Sequence, residues 1–268
     1  MSRILSKAAI GVILLAVTTL HAYSQSPKRK LIWSEEFNYK GLANPKKWGY
    51  ETGLVRNSEK QYYTKDRLEN AEVKDGNLII TSLKEDYQGA AYTSASINTL
   101  GKQSFEGNFR VEIKAKLPAG KGIWPALWMM GTNINDVGWP KCVEFDIMEF
   151  VGHTENTVHA NLHWWDSASS QPSNKSSKGS TINFSDLHTN YHVYGLERRG
   201  DSISVFVDDQ VYLKVKAPET AFKNSFKGPL YLLINTAVGG EWGGVIDDSI
   251  FPQKYYVDYV RVFKLIKD

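Results

Sequence analysis

Past an apolar stretch near the N-terminus, hydrophobic positions recur with a period of two and almost never with the 3.6 of a helix. In Arg110-Val111-Glu112-Ile113-Lys114-Ala115-Lys116 charged and apolar residues exchange strictly, which predicts a strand with one wet and one buried face. Similar runs predict strands at 31–37, 77–84, 92–98, 105–117, 124–131, 142–151, 157–164, 191–198, 202–207, 211–215, 229–236 and 255–265. Asp75-Gly76 and Gly200-Asp201 supply turns between strand pairs. A dozen short strands joined by turns predict an all-β fold, a two-sheet antiparallel β-sandwich.

One strand breaks the pattern in an informative way. The segment 142–151 is apolar except for Glu144, Asp146 and Glu149. In a regular strand Glu144 and Asp146 share a face and Glu149 points the other way. A β-bulge at Ile147 or Met148 returns Glu149 to the face of the other two. Glu144 and Glu149 then lie about 13 Å apart at Cα, and side chains leaning together approach the ~5–5.5 Å carboxyl separation of retaining glycoside hydrolysis. Asp146 between them raises the proton affinity of its neighbours. The competing reading is a strand edge with solvated acids.

The next strand carries His159, Asn161 and His163 on one face and Val158, Ala160 and Leu162 on the other. If the two strands pair around the short loop at 153–155, one register sets Glu149 opposite His159, Asp146 opposite Asn161 and Glu144 opposite His163. A shift of two residues satisfies the same parity.

Composition narrows the classes. Arg3 and Lys7, the apolar run 8–20 and small residues at 22–24 read as an export signal over residues 1–24, leaving 25–268 as one domain. No later stretch approaches the ~20 apolar residues of a membrane span. A net charge of +3 with scattered Lys and Arg argues against nucleic acid as a partner. Residues 167–180, rich in Ser and Lys, read as a surface loop. Cys142 is the single cysteine; it forms no intramolecular disulfide and is read as a small packing residue rather than a nucleophile. His153, His159 and His163 do not have zinc-ligand spacing. Eight Trp, several beside Gly and Pro, exceed what a core easily places and suit the flat faces of pyranose rings.

These features together resemble the family 16 glycoside hydrolases, and within them the bacterial laminarinase-like endo-β-1,3-glucanases. The run Glu144-x-Asp146-x-x-Glu149 resembles that family's bulged signature, and the likeness extends over almost the whole chain. It includes 33–38 (WSEEFN), 59–64 (EKQYYT), 122–129 (GIWPALWM), 137–140 (VGWP), 235–240 (NTAVGG) and 257–262 (VDYVRV). The resemblance implies a jelly roll with a concave substrate cleft and a retaining mechanism. In it Glu144 is the nucleophile, Glu149 the general acid/base and Asp146 their helper. It implies that Trp124 and Trp128 line the subsite of the cleaved sugar, that Trp139 and Trp242 lie near neighbouring subsites, and that Asn57, Arg110 and His163 contact the glycan. It further implies no cofactor for catalysis and a structural calcium held by Glu36, the Gly76 carbonyl and Asp258. Two departures stand out: Val143 where relatives often carry Gly, and the unusually aromatic His163-Trp164-Trp165.

The expected function is therefore exported, monomeric, endo-acting hydrolysis of β-1,3-glucan, with mixed β-1,3/1,4-glucan as a further substrate. One alternative keeps the chemistry and changes the sugar, an endo-β-1,4-galactosidase. Another is a carbohydrate-binding lectin on the same sandwich, which has no use for three converging carboxylates.

Overall fold

The computed structural model describes residues 28–266; the predicted export signal lies outside them. In chain order the strands are β1 (Arg29–Glu35), β2 (Gly49–Tyr50), β3 (Gln61–Tyr63), β4 (Ala71–Lys74), β5 (Asn77–Tyr87), β6 (Ala90–Ser94), β7 (Ser96–Asn98) and β8 (Phe109–Lys116). They continue with β9 (Ile123–Gly131), β10 (Glu144–Glu149), β11 (Thr157–Trp165), β12 (Lys175–Asn183), β13 (His192–Arg199), β14 (Ser202–Val207), β15 (Gln210–Lys216), β16 (Leu230–Val238) and β17 (Gln253–Leu265). Among the described residues no helix is long and apolar enough to cross a membrane.

Two sheets result. The outer one runs β15-β14-β13-β8-β17-β5-β6-β3, with β1 also beside β17 and β4 beside β5. The other, which carries the cleft, runs β12-β11-β10-β9-β16-β7-β2. All pairings are antiparallel except β3 with β6. The expected two-sheet sandwich is present.

The period-two pattern builds the core between the sheets. From the outer sheet come Val111, Ile113 and Ala115 of β8 and Val257, Val260 and Val262 of β17; opposite them lie Leu127 and Met129 of β9 and Leu232 and Ile234 of β16. The alternate residues of the inner strands point away from this core. Ala126, Trp128, Met130, Tyr231 and Leu233 form a second apolar patch on the cleft side, so β9 and β16 are buried at every position. Burial on both faces explains their continuous apolar runs.

Strand β12 occupies part of the stretch 167–180 that reads as a loop. It is an edge strand whose side chains are mostly exposed, so its Ser-, Lys- and Gly-rich sequence has no apolar alternation to display. The short strands β2, β3 and β4 were likewise not anticipated.

Candidate active site

Strand β10 pairs with β9 on one side and β11 on the other, and both registers slip in the same place. Against β9, Asp146 faces Trp128 and Met148 faces Leu127, which leaves Ile147 as the extra residue. Against β11, Glu144 faces His163, Asp146 faces Asn161 and Glu149 faces His159. Of the two registers that parity allowed, the one written out above is observed. Phe145, Ile147 and Met148 all enter the core, two of them consecutive, and this doubling turns Glu149 back to the side of Glu144 and Asp146.

The bulge is pinned from the other sheet. Tyr212 Oη donates to the Ile147 carbonyl at 2.9 Å. Tyr212 sits at a register shift of β15 against β14, where Val205 pairs with Leu213 and Phe206 with Val211. A local irregularity in an edge strand thus reaches across to one in β10.

Each carboxylate has different partners. Glu144 Oε2 accepts from Trp139 Nε1 at 2.8 Å. Glu149 accepts from Asn161 Nδ2 at 2.7 Å and from Trp124 Nε1 at 3.1 Å. Asn161 takes this position because Gly179 faces it across the β11–β12 ladder; a Cβ there would lie 2.4 Å from Asn161 Oδ1. Asp146 Oδ2 has no hydrogen bond, with His163 Nε2 the nearest cation-capable group at 3.5 Å.

Burial dominates the titration of all three. Asp146 is pushed well above the usual carboxylate range by burial and then by the charges of Glu149 and Glu144. Burial pushes Glu149 up to about 7; its bond from Asn161 opposes the shift and the charge of Glu144 reinforces it. Glu144 is also raised by burial, but the Trp139 hydrogen bond and the charges of Arg56 and Lys175 all favour its anion. The pair is differentiated: hydrogen-bond and cationic partners act for the charged form of Glu144 against its burial, while the proton of Glu149 is poised near neutrality. Burial, helped by Lys175, pushes His163 down to about 4, so the imidazole is neutral.

The surrounding cleft has a volume of about 330 Å³ and is lined by Arg56, Asn57, Glu59, Trp124, Ala126, Trp128, Met130, Trp139, the three carboxylates and Asn235. Trp124, Trp128, Trp139 and Asn57 thus line the same cleft as the three carboxylates. Trp242 packs edge-on against Trp124 at 5.5 Å and against His159 at 4.9 Å, extending the wall beyond Glu149. His163 lies 6.1 Å from the Trp139 ring.

Arg110 is a correction. It belongs to β8 in the outer sheet, where it stacks 3.7 Å above Phe206 and pairs with Glu112 and Asp209 at 2.7 Å. The cleft arginine is Arg56, which stacks 5.0 Å from Trp128 and pairs with Glu51. Glu59, Asn161 and Asn235 were also missed. Asn235 accepts from Trp128 Nε1 at 2.8 Å and donates to Tyr63 Oη at 2.9 Å, and Glu59 accepts from Asn57, Gln61 and Tyr63. The signal existed: Glu59, Gln61 and Tyr63 alternate inside the quoted segment 59–64.

The residues of the expected calcium site do not fit it as they stand. Glu36 accepts two hydrogen bonds from Arg261, at 3.0 and 2.7 Å, and Asp258 pairs with Lys114 at 2.7 Å, while Gly76 forms the β4–β5 turn. A hard cation there would first have to displace Arg261 and Lys114. Glu144, Asp146 and His163 offer ligand atoms within 4.8 Å of one another. Cys142 is buried and its thiol is pushed up to about 12, in keeping with a packing role. Trp164 enters the core, whereas Trp165 stays on the cleft side.

Residues 58–261 match the profile of the Glycosyl hydrolases family 16. The chain is 39% identical to a beta-glucanase of Rhodothermus marinus over 91% of this chain and 88% of that protein. It is 35% identical to a glucan endo-1,3-beta-glucosidase of Niallia circulans, covering 87% of this chain but 38% of that longer protein. The crystal structure of the laminarinase from Rhodothermus marinus superposes with a TM-score of 0.82 at 39% identity, over 90% of this chain and 99% of the other.

Proposed function

The chain belongs to the glycosyl hydrolases of family 16, and on that premise we propose that it cleaves internal β-1,3 linkages of a laminarin-type glucan. The observation that carries the reading is the bulged convergence of Glu144 and Glu149 on the cleft floor, the second pushed up to about 7 by burial. The similarity to laminarinases and to an endo-1,3-beta-glucosidase supports the choice of glycan.

The mechanism is a double displacement with retention. Glu144 attacks the anomeric carbon while Glu149 protonates the departing oxygen, which leaves a glycosyl ester on Glu144. Glu149, now ionised, takes a proton from water, and the resulting attack releases the sugar and frees Glu144. Asp146 stands between the two, and its raised proton affinity limits the negative charge the trio carries. Trp128 and Trp124 supply the apolar floor on which the ring rests. No cofactor takes part. Residues 1–24 are read as an export signal, which delivers the enzyme to a polymer outside the cytoplasm; the N-terminal sequence of secreted protein checks this.

The test is incubation with laminarin, mixed-linkage glucan and a β-1,4-linked galactan, with products resolved by chromatography. Short gluco-oligosaccharides from laminarin, released first as the β-anomer, are expected. Products from the galactan alone would overturn the substrate, and an α-anomer the mechanism.

A further inference from the structure

Beyond Glu144 the cleft face continues over a surface that the proposed chemistry does not use. Trp139 is 44% exposed, and the Lys175 ammonium lies 5.1 Å from its ring centre. Lys175 opens β12 directly opposite Trp165 of β11, and Trp165 has the strand parity of His163 and Asn161. Trp165 meets Phe222 edge-on at 6.0 Å, and the Lys141 ammonium stands 6.0 Å from Trp165 and 5.6 Å from Phe222. Two partly exposed indoles are thus each accompanied by a lysine.

These lysines differ from others on the molecule. Lys84 pairs with Asp248, Lys114 with Asp258 and Lys47 with Glu35. Among the described residues, neither Lys141 nor Lys175 has a carboxylate within 4.0 Å. Both are half-buried against aromatic rings, which holds the ammonium in place at little further entropic cost. The charge of Lys175 is felt at Glu144 and His163, so it lies within electrostatic reach of the reacting centre. A neutral glucan offers this surface C–H faces for the indoles and only uncharged hydroxyl acceptors for the ammonium groups, whereas an anionic substituent offers a charge-assisted acceptor. The unpaired ammonium groups call for an anion.

We propose that Trp139, Trp165, Lys141 and Lys175 form a sugar subsite at the Glu144 end of the cleft that accepts a residue carrying an anionic substituent, a sulfate ester or a carboxylate. The proposal rests on the glycan-hydrolase reading above. The rings stack the sugar, and the lysines form charge-assisted hydrogen bonds to the substituent.

The experiment compares kcat/KM for neutral laminari-oligosaccharides with that for the same oligosaccharides sulfated, or oxidised at C6 to carboxylates. Wild type, Lys175→Met and Lys141→Met are each assayed at low and high salt. The ratio of anionic to neutral kcat/KM is expected to exceed one for at least one substituent, to fall with salt, and to drop roughly fivefold in each variant. Which substituent gives the higher ratio identifies the source of the charge. A ratio of one or below in the wild type, or one that neither variant changes, overturns the subsite. A role of Lys175 in tuning Glu144 alone would shift the pH profile on both substrates equally and leave the ratio intact, which also overturns it. Failure of the wild type to cleave the neutral oligosaccharides while cleaving another glycan would instead count against the glucanase reading.

Discussion

Glu149 shows how one hydrogen bond sets a working pH. Its proton must be present for the first step, so kcat/KM on laminarin should fall as pH rises through about 7. Asn161 donates to the ionised form, and its loss in Asn161→Ala raises the Glu149 pKa further, moving the alkaline limb upward while lowering the maximum rate; a pH–rate profile reads both. The same burial costs stability. Because the folded pKa of Glu149 lies above the ordinary carboxylate value of 4.5, the folded protein binds the proton more tightly than the unfolded chain. Stability from this group is complete below about 4.5 and is lost as pH rises towards 7. Removing a neighbouring charge relieves it, so Glu144→Gln should abolish turnover yet stabilise the fold at pH 7 by on the order of 1–3 kcal/mol, with a smaller gain at pH 5. Thermal melts at both pH values check this. Val143 shows strain of a different kind. It has φ +65°, a conformation poorly suited to a β-branched residue, immediately before Glu144. Sequence comparison marked the position as unusual, but only the backbone explains why glycine suits it.

Among the elements, β10 was the most legible and β12 the least. The bulge and its face assignment followed from the parity of Glu144, Asp146 and Glu149, whereas the parity of His159, Asn161 and His163 left two β10–β11 registers open, of which the fold takes one. Strand β12 was hidden because an exposed edge strand need not alternate, and the glycine it contributes, Gly179, matters through a clash it avoids. Tyr212 was invisible for another reason: its partner is a backbone carbonyl 65 residues away in the other sheet. Tyr212→Phe removes that donor while keeping the ring. The variant is expected to fold, to lose about 1–3 kcal/mol of stability, and to lose roughly tenfold in kcat with little change in KM, because the bulge aims Glu149 rather than binding the glycan. A fall in KM affinity with kcat intact would show that the hydrogen bond serves the cleft wall and not the bulge.

At the scale of the whole molecule, two arginines show what local pattern cannot decide. Arg110 and Arg56 are alike in type and differ in which sheet or loop the topology gives them, information held in long-range pairing. A third, Arg198, is fully buried and donates to the carbonyls of Gly107, Phe226, Gly228 and Phe105, joining the approach to β8 with the turn before β16. Arg198→Met removes the side-chain donor to the Gly107, Phe226 and Gly228 carbonyls, while Phe105 O keeps the Leu230 amide, and should cost several kcal/mol, lowering the melting temperature by about 2–4 °C per kcal/mol, with the pH profile of the surviving enzyme unchanged. The bulge in β10 bears on what the lineage can lose. Deleting one of the doubled residues Ile147 and Met148 would restore a regular strand and leave the second glutamate four positions after Glu144, still on the cleft face with Asp146. Replacing Glu144 or Glu149 removes the activity and leaves a firmer sandwich whose aromatic cleft is intact. Descendants of such a chain can therefore shed the extra residue without re-aiming the carboxylates, and can abandon hydrolysis by substitution while persisting as binders of the same glycan.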